Sequence, residues 1–211
     1  MIINWLGHAS FLIDSPLGRI ITDPFEKKLG YQEYRQPVDI ATVSHQHWDH
    51  NAVQVLQGDP RIISQPGVFQ IGQIRIEGME SFHDRKKGQQ RGRNIIYKIA
   101  AEGLDIVHLG DLGHILDPRQ IEAIGNVDIL LLPVGGIYTI DAQEARVVAE
   151  QLNPVIIVPM HYKTKHLSFE LDPLERFTGQ FEKTVKRPSL QVSAEDLHES
   201  AGVVVLDYPG S

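Results

Sequence analysis

The sequence predicts an α/β protein in which two β-sheets pack face to face and helices cover their outer faces. Three observations carry the prediction. Short strand-like runs dominate the first sixty residues, and helical segments then alternate with apolar strand-like runs. Polar residues able to bind metal recur where an apolar run meets a loop, the edge at which rigid scaffolds present chemistry. No Pro- or Gly-rich linker interrupts the 211 residues, of which 42% are hydrophobic and 22% charged, so residues 1–211 read as one domain with one buried core.

From the N-terminus, residues 2–5, 10–13 and 19–22 are short β-rich runs, and Ser15-Pro16-Leu17-Gly18 supplies a turn between two of them. Residues 26–37 are polar and aromatic without periodicity and read as a loop. Residues 40–44 form a strand and 52–57 a short helix. Strand-like segments follow at 61–64, 73–77, 95–100 and 105–108. A helix over 118–124 starts on Pro118, whose fixed φ suits a first helical turn. Asp141, with Glu144 three residues on, is a capping-box arrangement that opens a helix over 142–152. The apolar runs 129–132 and 155–159 fit buried strands, 172–183 a helix, and 203–207 a closing strand.

Composition narrows the function classes. The net charge is −7 and the isoelectric point about 5.8, so the surface as a whole favours neither nucleic acid nor an anionic membrane. The chain has no cysteine, which excludes disulfides, thiolate ligands and cysteine nucleophiles together. Met1-Ile2-Ile3-Asn4-Trp5 lacks the basic start of a signal peptide, and no apolar run approaches the ~18 residues of a membrane span. The cytoplasm is the expected compartment.

His45-Gln46-His47-Trp48-Asp49-His50 places three imidazoles and a carboxylate directly after the apolar run 40–43. These ligand types suit Zn, Fe or Mn. A turn holding His45 and His47 can aim both rings at one ion, while Asp49 and His50 reach a second beside it. A polar turn whose histidines merely bond backbone is the plainer alternative, and the density of ligands argues against it. Other ligand types follow strand-like runs at His83, Asp111 and His161. For His83 an ordinary loop histidine is the competing reading.

The hexapeptide, together with Trp5-Leu6-Gly7-His8-Ala9-Ser10-Phe11, Thr22-Asp23-Pro24-Phe25, His108-Leu109-Gly110-Asp111-Leu112-Gly113, Leu132-Pro133-Val134-Gly135-Gly136 and Pro159-Met160-His161-Tyr162, resembles the metallo-β-lactamase superfamily. It is most similar to the small metal-dependent hydrolases near the ascorbate-6-phosphate lactonase group. The resemblance runs over nearly the whole chain and implies a four-layer αββα sandwich. It also implies two divalent ions, zinc first, with manganese or iron as alternatives. His45, His47 and His83 would hold one ion, Asp49, His50 and His161 the other, and Asp111 would bridge them. A bridging carboxylate lets two ions sit ~3.5–4 Å apart, as two-metal hydrolases require.

Around these ligands, Asp23 could accept from a ligand imidazole and fix its tautomer, or could simply form an Asx turn before Pro24. His8 is expected near the site without being a ligand. His108 and His114 read as structural, Trp48 as packing, and His166 and His198 as ordinary loop histidines. Residues 84–94 carry five cations next to His83. They read as a mobile loop receiving a phosphate or carboxylate through Arg91 and Arg93, or equally as a solvated loop. Arg93, followed by Asn94, adjoins the next strand and is the steadier of the two. Tyr138, Thr139 and Tyr162 are candidates for the pocket wall.

The expected function is a metal-dependent hydrolase. A water or hydroxide activated by two ions would cleave an ester, lactone or phosphodiester bond in a small anionic substrate, which could be phosphorylated. Asp49 would orient that nucleophile as well as bind metal. A nuclease of the same superfamily is one alternative, disfavoured by the acidic charge. A non-hydrolytic iron-binding or redox protein is another, since fold and site do not fix reaction class. The oligomeric state is not legible.

Overall fold

The computed structural model describes residues 1–209. One sheet contains β1 (Ile2–Gly7), β2 (Ser10–Ser15), β3 (Gly18–Thr22), β4 (Ile40–Thr42) and β5 (Arg61–Ile63). The other begins with β6 (Gly67–Ile71), β7 (Ile74–Phe82), β8 (Arg93–Ala101) and β9 (Leu104–His108). After α1 (Pro118–Ile124) come β10 (Ile129–Pro133), α2 (Ala142–Leu152), β11 (Ile156–Met160) and α3 (Glu175–Thr178). The chain closes with β12 (Thr184–Arg187), β13 (Leu190–Gln191) and β14 (Gly202–Leu206). Strand order is β13-β1-β2-β3-β4-β5 in the first sheet and β12-β14-β11-β10-β9-β8-β7-β6 in the second.

Alternation along the first sheet builds the sandwich, because successive side chains of a strand point to opposite faces. Ile3, Trp5, Phe11, Ile13, Ile20 and Ile40 enter the core between the sheets. Leu12, Ile21 and Ala41, their neighbours along the strands, face outward and are covered by Val38, with Tyr34 and Leu56 alongside. Strands β9, β10 and β11 are parallel, and β10 and β11 are buried along their whole length, as expected of strands covered on both faces. Helix α1 lies beside β7 and α2 beside β10. The first sheet's outer cover is thinner: a loop and the three-residue 3-10 turn Val53–Val55 take the place of an α-helix.

Both capped helices form where predicted. Asp117 and Asp141 each accept two N–H groups of the first turn, and Gln120 and Glu144 reach back to complete the capping boxes. Two other helices are shorter than their sequences suggest. The segment 52–57 yields only the 3-10 turn, as the backbone extends at Leu56 ahead of Gly58 and Pro60. Within 172–183 only four residues are helical, because Gly179 caps the turn and tertiary bonds redirect the chain. Arg146 donates to the Gln180 carbonyl, and the Gln180 amide donates to the Ala142 carbonyl. Strands β6, β12 and β13 were not read from sequence. They are short edge segments in which only Leu190 of β13 is buried, so no hydrophobic alternation marks them.

Strands β3, β4, β7, β9, β10 and β11 all deliver their C-terminal ends to one edge of the sandwich. Tyr97 on β8 braces that edge, its hydroxyl lying 3.1 Å from the Val43 carbonyl and 3.0 Å from the Ile63 carbonyl of the opposite sheet. No helix among the described residues is long and apolar enough to cross a membrane.

Candidate metal centre

Asp23 leaves β3 in the left-handed region, with φ of 39°, and its fully buried carboxylate organises the next strand end. Oδ1 accepts the Ser44 amide at 2.7 Å, and Oδ2 accepts the Ser44 hydroxyl at 2.6 Å and His50 Nδ1 at 2.9 Å. A carboxylate only accepts, so His50 carries its proton on Nδ1. Ser44 spends its own proton on Asp23 and therefore accepts from His45 Nδ1, 2.9 Å away. Both rings turn a buried Nε2 without a hydrogen-bond partner towards Asp111. Asp23 thus has the geometry of a supporting residue. Its oxygens also group with His45 and His50 closely enough to hold an ion, but they are already committed to three donors.

Asp111 lies beyond β9, where Asn94 on β8 fixes its backbone. The Asn94 amide oxygen accepts the Asp111 N–H at 2.9 Å, and its NH2 donates to Ser81 Oγ and the Leu109 carbonyl. The Asp111 carboxylate sits inside a ring of imidazoles: Oδ2 is 3.1 Å from His83 Nε2, 3.2 Å from His161 Nε2, 3.4 Å from His50 Nε2 and 3.9 Å from His45 Nε2. Two glycines allow that convergence. A Cβ on Gly113 would come within 2.3 Å of the His83 backbone, and one on Gly135 within 2.0 Å of the His161 carbonyl.

The donor set fits divalent cations. His45, His47 and His83 place one ligand atom each within 4.8 Å of one another, as do His8, His50 and His161. His45 Nε2, His50 Nε2, His83 Nδ1, His161 Nδ1 and Asp111 Oδ1 are buried without partners. Orphaned buried polar atoms are costly, and His45 Nε2, His50 Nε2 and Asp111 Oδ1, gathered at the Asp111 carboxylate, are what a cation would satisfy. Burial pushes the His45 pKa down to about 3, keeping that ligand neutral at ordinary pH. Asp111 stays ionised: burial opposes its charge, but the surrounding imidazoles outweigh it and hold the pKa well below the usual carboxylate range.

His8 lies closer to the candidate ligands than the sequence suggests. It leaves β1 at a bulge with φ of 54°, is fully buried, and packs its ring 4.2 Å from that of His161. Its Nε2 lies 3.2 Å from Asp49 Oδ2, and Asp49 Oδ2 is 3.7 Å from His50 Nε2. His8 therefore either orients Asp49 or joins His50 and His161 as a nitrogen donor. Gly7 before it, with φ of 106°, was the sequence signal of an unusual turn. His108 is structural, its ring bridging the Ala9 carbonyl and the Gly110 amide. His114 accepts the Phe82 amide.

A cavity of about 460 Å³ opens onto the centre, lined by His47, Trp48, Asp49, His83, Arg91, Asp111, Tyr138, His161 and Phe169. Arg91 stands at its rim, with Nη2 3.0 Å from the Ile137 carbonyl and the guanidinium 5.5 Å from the Tyr138 ring centre. Arg93 is placed differently from the expectation. It is strongly exposed, pairs with Glu80 at 3.3 Å, and faces a neighbouring cavity of about 390 Å³. The period of the strand explains this, since Arg93 begins β8 on the face opposite Asn94. Thr139 lines another side cavity, and Tyr162 is buried against Trp5 with ring centres 5.1 Å apart. Trp48, expected to pack inside, is 44% exposed on the cavity wall.

The basic segment is an ordered wrap. The buried Asp84 carboxylate accepts the backbone amides of Lys86, Gly88, Gln90 and Arg91 at 2.7 to 3.0 Å. Burial opposes its ionisation, but these four donors bring its pKa down to about 2. The sequence showed Asp84 only as the acidic residue beside His83.

Comparison with known proteins agrees with this architecture. Residues 2–161 match the model of the beta-lactamase superfamily domain. A UPF0173 family protein of Pyrococcus furiosus is 30% identical over 96% of this chain and 99% of its own. A UPF0173 metal-dependent hydrolase of Archaeoglobus fulgidus is 28% identical over 91% of this chain and 94% of its own. The crystal structure of a candidate Zn-dependent hydrolase of the metallo-beta-lactamase superfamily from Thermotoga maritima superposes with a TM-score of 0.83. That protein is 39% identical, with 97% of each chain covered.

Proposed function

The chain belongs to the beta-lactamase superfamily and has the metallo-β-lactamase fold, and from that premise we propose that it is a metal-dependent hydrolase with two ions, zinc first, acting on a small anionic ester, lactone or phosphodiester. The observation that carries the reading is the buried Asp111 carboxylate ringed by the Nε2 atoms of His83, His161, His50 and His45, of which those of His45 and His50 have no hydrogen-bond partner. His45, His47 and His83 would hold one ion, and Asp49, His50 and His161 the other, with Asp111 between them and His8 supporting Asp49. Such ions, when bound, acidify a water at neutral pH and polarise a carbonyl or phosphoryl oxygen.

The protein's own groups do the rest. Asp23 and Ser44 lock the tautomers that leave Nε2 of His50 and His45 free. Asp49 lines the cavity and is bonded to His8, and in this reading it would orient the attacking oxygen. Arg91 offers a fixed cation to the substrate's negative charge at the rim. A cavity of this size suits a small molecule. The net charge of −7 disfavours a nucleic acid strand as substrate.

The test is turnover of phosphodiesters, phosphorylated lactones and thioesters by zinc- and manganese-loaded protein beside Asp111→Ala. Hydrolysis of one class that vanishes in the variant supports the reading. Metal bound at two equivalents with no turnover, and iron that a partner reduces instead, would replace it with the redox alternative.

A further inference from the structure

Beyond its metal ligands, the cavity contains one cation and three aromatic residues. Trp48 and Tyr138 are 44% and 39% exposed, two of the few large hydrophobic side chains left to solvent. Both line this cavity, and Ile137, 52% exposed, borders it. Exposed apolar groups gathered around a concave site mark a binding surface more often than scattered ones do.

The rings also form a continuous wall. Arg91 covers Tyr138, whose ring meets that of Phe169 edge-on at 5.8 Å. Phe169 meets His8 edge-on at 5.7 Å, and His8 leans on His161 at 4.2 Å. Trp48, carried by the metal-binding turn, lines the same cavity. Beyond the metal ligands, the lining's neutral hydrogen-bonding groups are the Tyr138 hydroxyl and the Trp48 indole N–H. The non-reacting part of a substrate would therefore meet mainly aromatic rings, the Arg91 guanidinium and, over the Trp48 ring at 5.0 Å, the Lys28 ammonium.

We propose that the site selects a singly or doubly charged anion bearing a flat, aromatic group next to the scissile bond, with Trp48, Tyr138 and Phe169 receiving the ring and Arg91 the charge. This deepens the hydrolase reading and rests on it for the bond broken, but recognition can be tested without turnover. Phenylphosphonate and methylphosphonate, compared at a pH where both are dianions, differ only in the group the wall would contact. Calorimetry on the zinc-loaded protein should show phenylphosphonate binding roughly threefold to tenfold tighter, the usual scale of an aromatic contact. The preference should shrink towards unity in Trp48→Ala and Tyr138→Ala. Arg91→Gln should weaken both ligands and leave their ratio unchanged. Val68→Ala, which trims an exposed apolar residue on β6 away from the cavity, should leave both affinities alone.

Equal affinities in the unaltered protein, or a preference that survives both aromatic variants, would overturn the proposal. Rates on p-nitrophenyl phenylphosphonate and p-nitrophenyl methylphosphonate, which share a leaving group, then separate the two readings. Selective binding without turnover of either supports the aromatic subsite and counts against hydrolysis of this class. Turnover of both, with equal phosphonate affinities, counts for hydrolysis, while the equal affinities count against the subsite.

Discussion

His50 Nδ1 lies 2.9 Å from Asp23 Oδ2, at the end of a strand twenty-seven residues earlier in the chain. The same oxygen takes the Ser44 proton at 2.6 Å, and Ser44 in turn holds His45. One buried carboxylate therefore sets the tautomer of two neighbouring imidazoles, whose ring centres lie 4.3 Å apart.

Asp23→Asn should consequently lower metal affinity about 10- to 100-fold, the range for losing a partner that orients a ligand imidazole. The amide keeps the volume but brings two donors to a site where three donors already converge. Competition with a chelating dye measures the loss, and circular dichroism checks that the fold survives. Unchanged affinity would show that the rings need no support from Asp23.

Asp84 gives a second prediction. Asp84→Ala leaves four backbone amides without their acceptor. Some will reach water, so the cost should be about 2 kcal/mol. Arg91 rides on this wrap, and KM for an anionic substrate should rise several-fold while bound metal stays unchanged. Steady-state kinetics and metal analysis check this. A normal KM would detach the wrap from substrate binding.

The architecture was legible in the sequence for physical reasons that differ from element to element. Capped helices and apolar strands such as 118–124, 142–152 and 129–132 carry local signals, and the structure matches them closely. Edge strands such as Gly67–Ile71 bury too little to impose a pattern. At the centre, His45, His47, His83, Asp111 and His161 announce themselves through ligand chemistry at strand ends. Phe169 does not, since it reaches the cavity from a loop eight residues past His161 that no periodicity describes. Arg93 points away from Asn94 along the strand and lines the neighbouring cavity with His45, His47 and Arg91, a direction that adjacency along a chain does not fix. Asn94 itself, buried and bonded to the Asp111 amide, serves the metal centre from behind.

Tyr97→Phe offers a test of the brace between the sheets. Its hydroxyl meets the Val43 and Ile63 carbonyls just before the metal-binding turn. The Ile63 carbonyl keeps the Val43 amide as a partner, so the loss should be confined to roughly 1 kcal/mol. Urea unfolding should show that loss with no change in metal affinity. A larger fall in metal affinity than in stability would make Tyr97 a determinant of the turn's position.

The final prediction concerns metal-free protein in acid. Burial, helped by the nearby His161, lowers His8 from 6.5 to about 4, and burial lowers His45 from 6.5 to about 3. His47 and His108 are lowered by burial as well. For each, the unfolded chain takes up a proton below about 6.5 while the folded chain does not, so stability falls as pH drops from 6.5 towards 4. His50 works the other way. Burial lowers its pKa, but Asp111 and Asp23 outweigh it and raise the value well above 6.5, so its contribution is present in acid and lost as pH rises. Four lowered imidazoles oppose one raised, and the net effect is loss of stability on acidification. The urea midpoint of chelator-treated protein should fall by roughly 1 M between pH 7 and pH 4.5, given m-values of about 1–3 kcal/mol/M. A midpoint that held steady or rose would mean that Asp111 shares its charge with more of the ring than His50 alone.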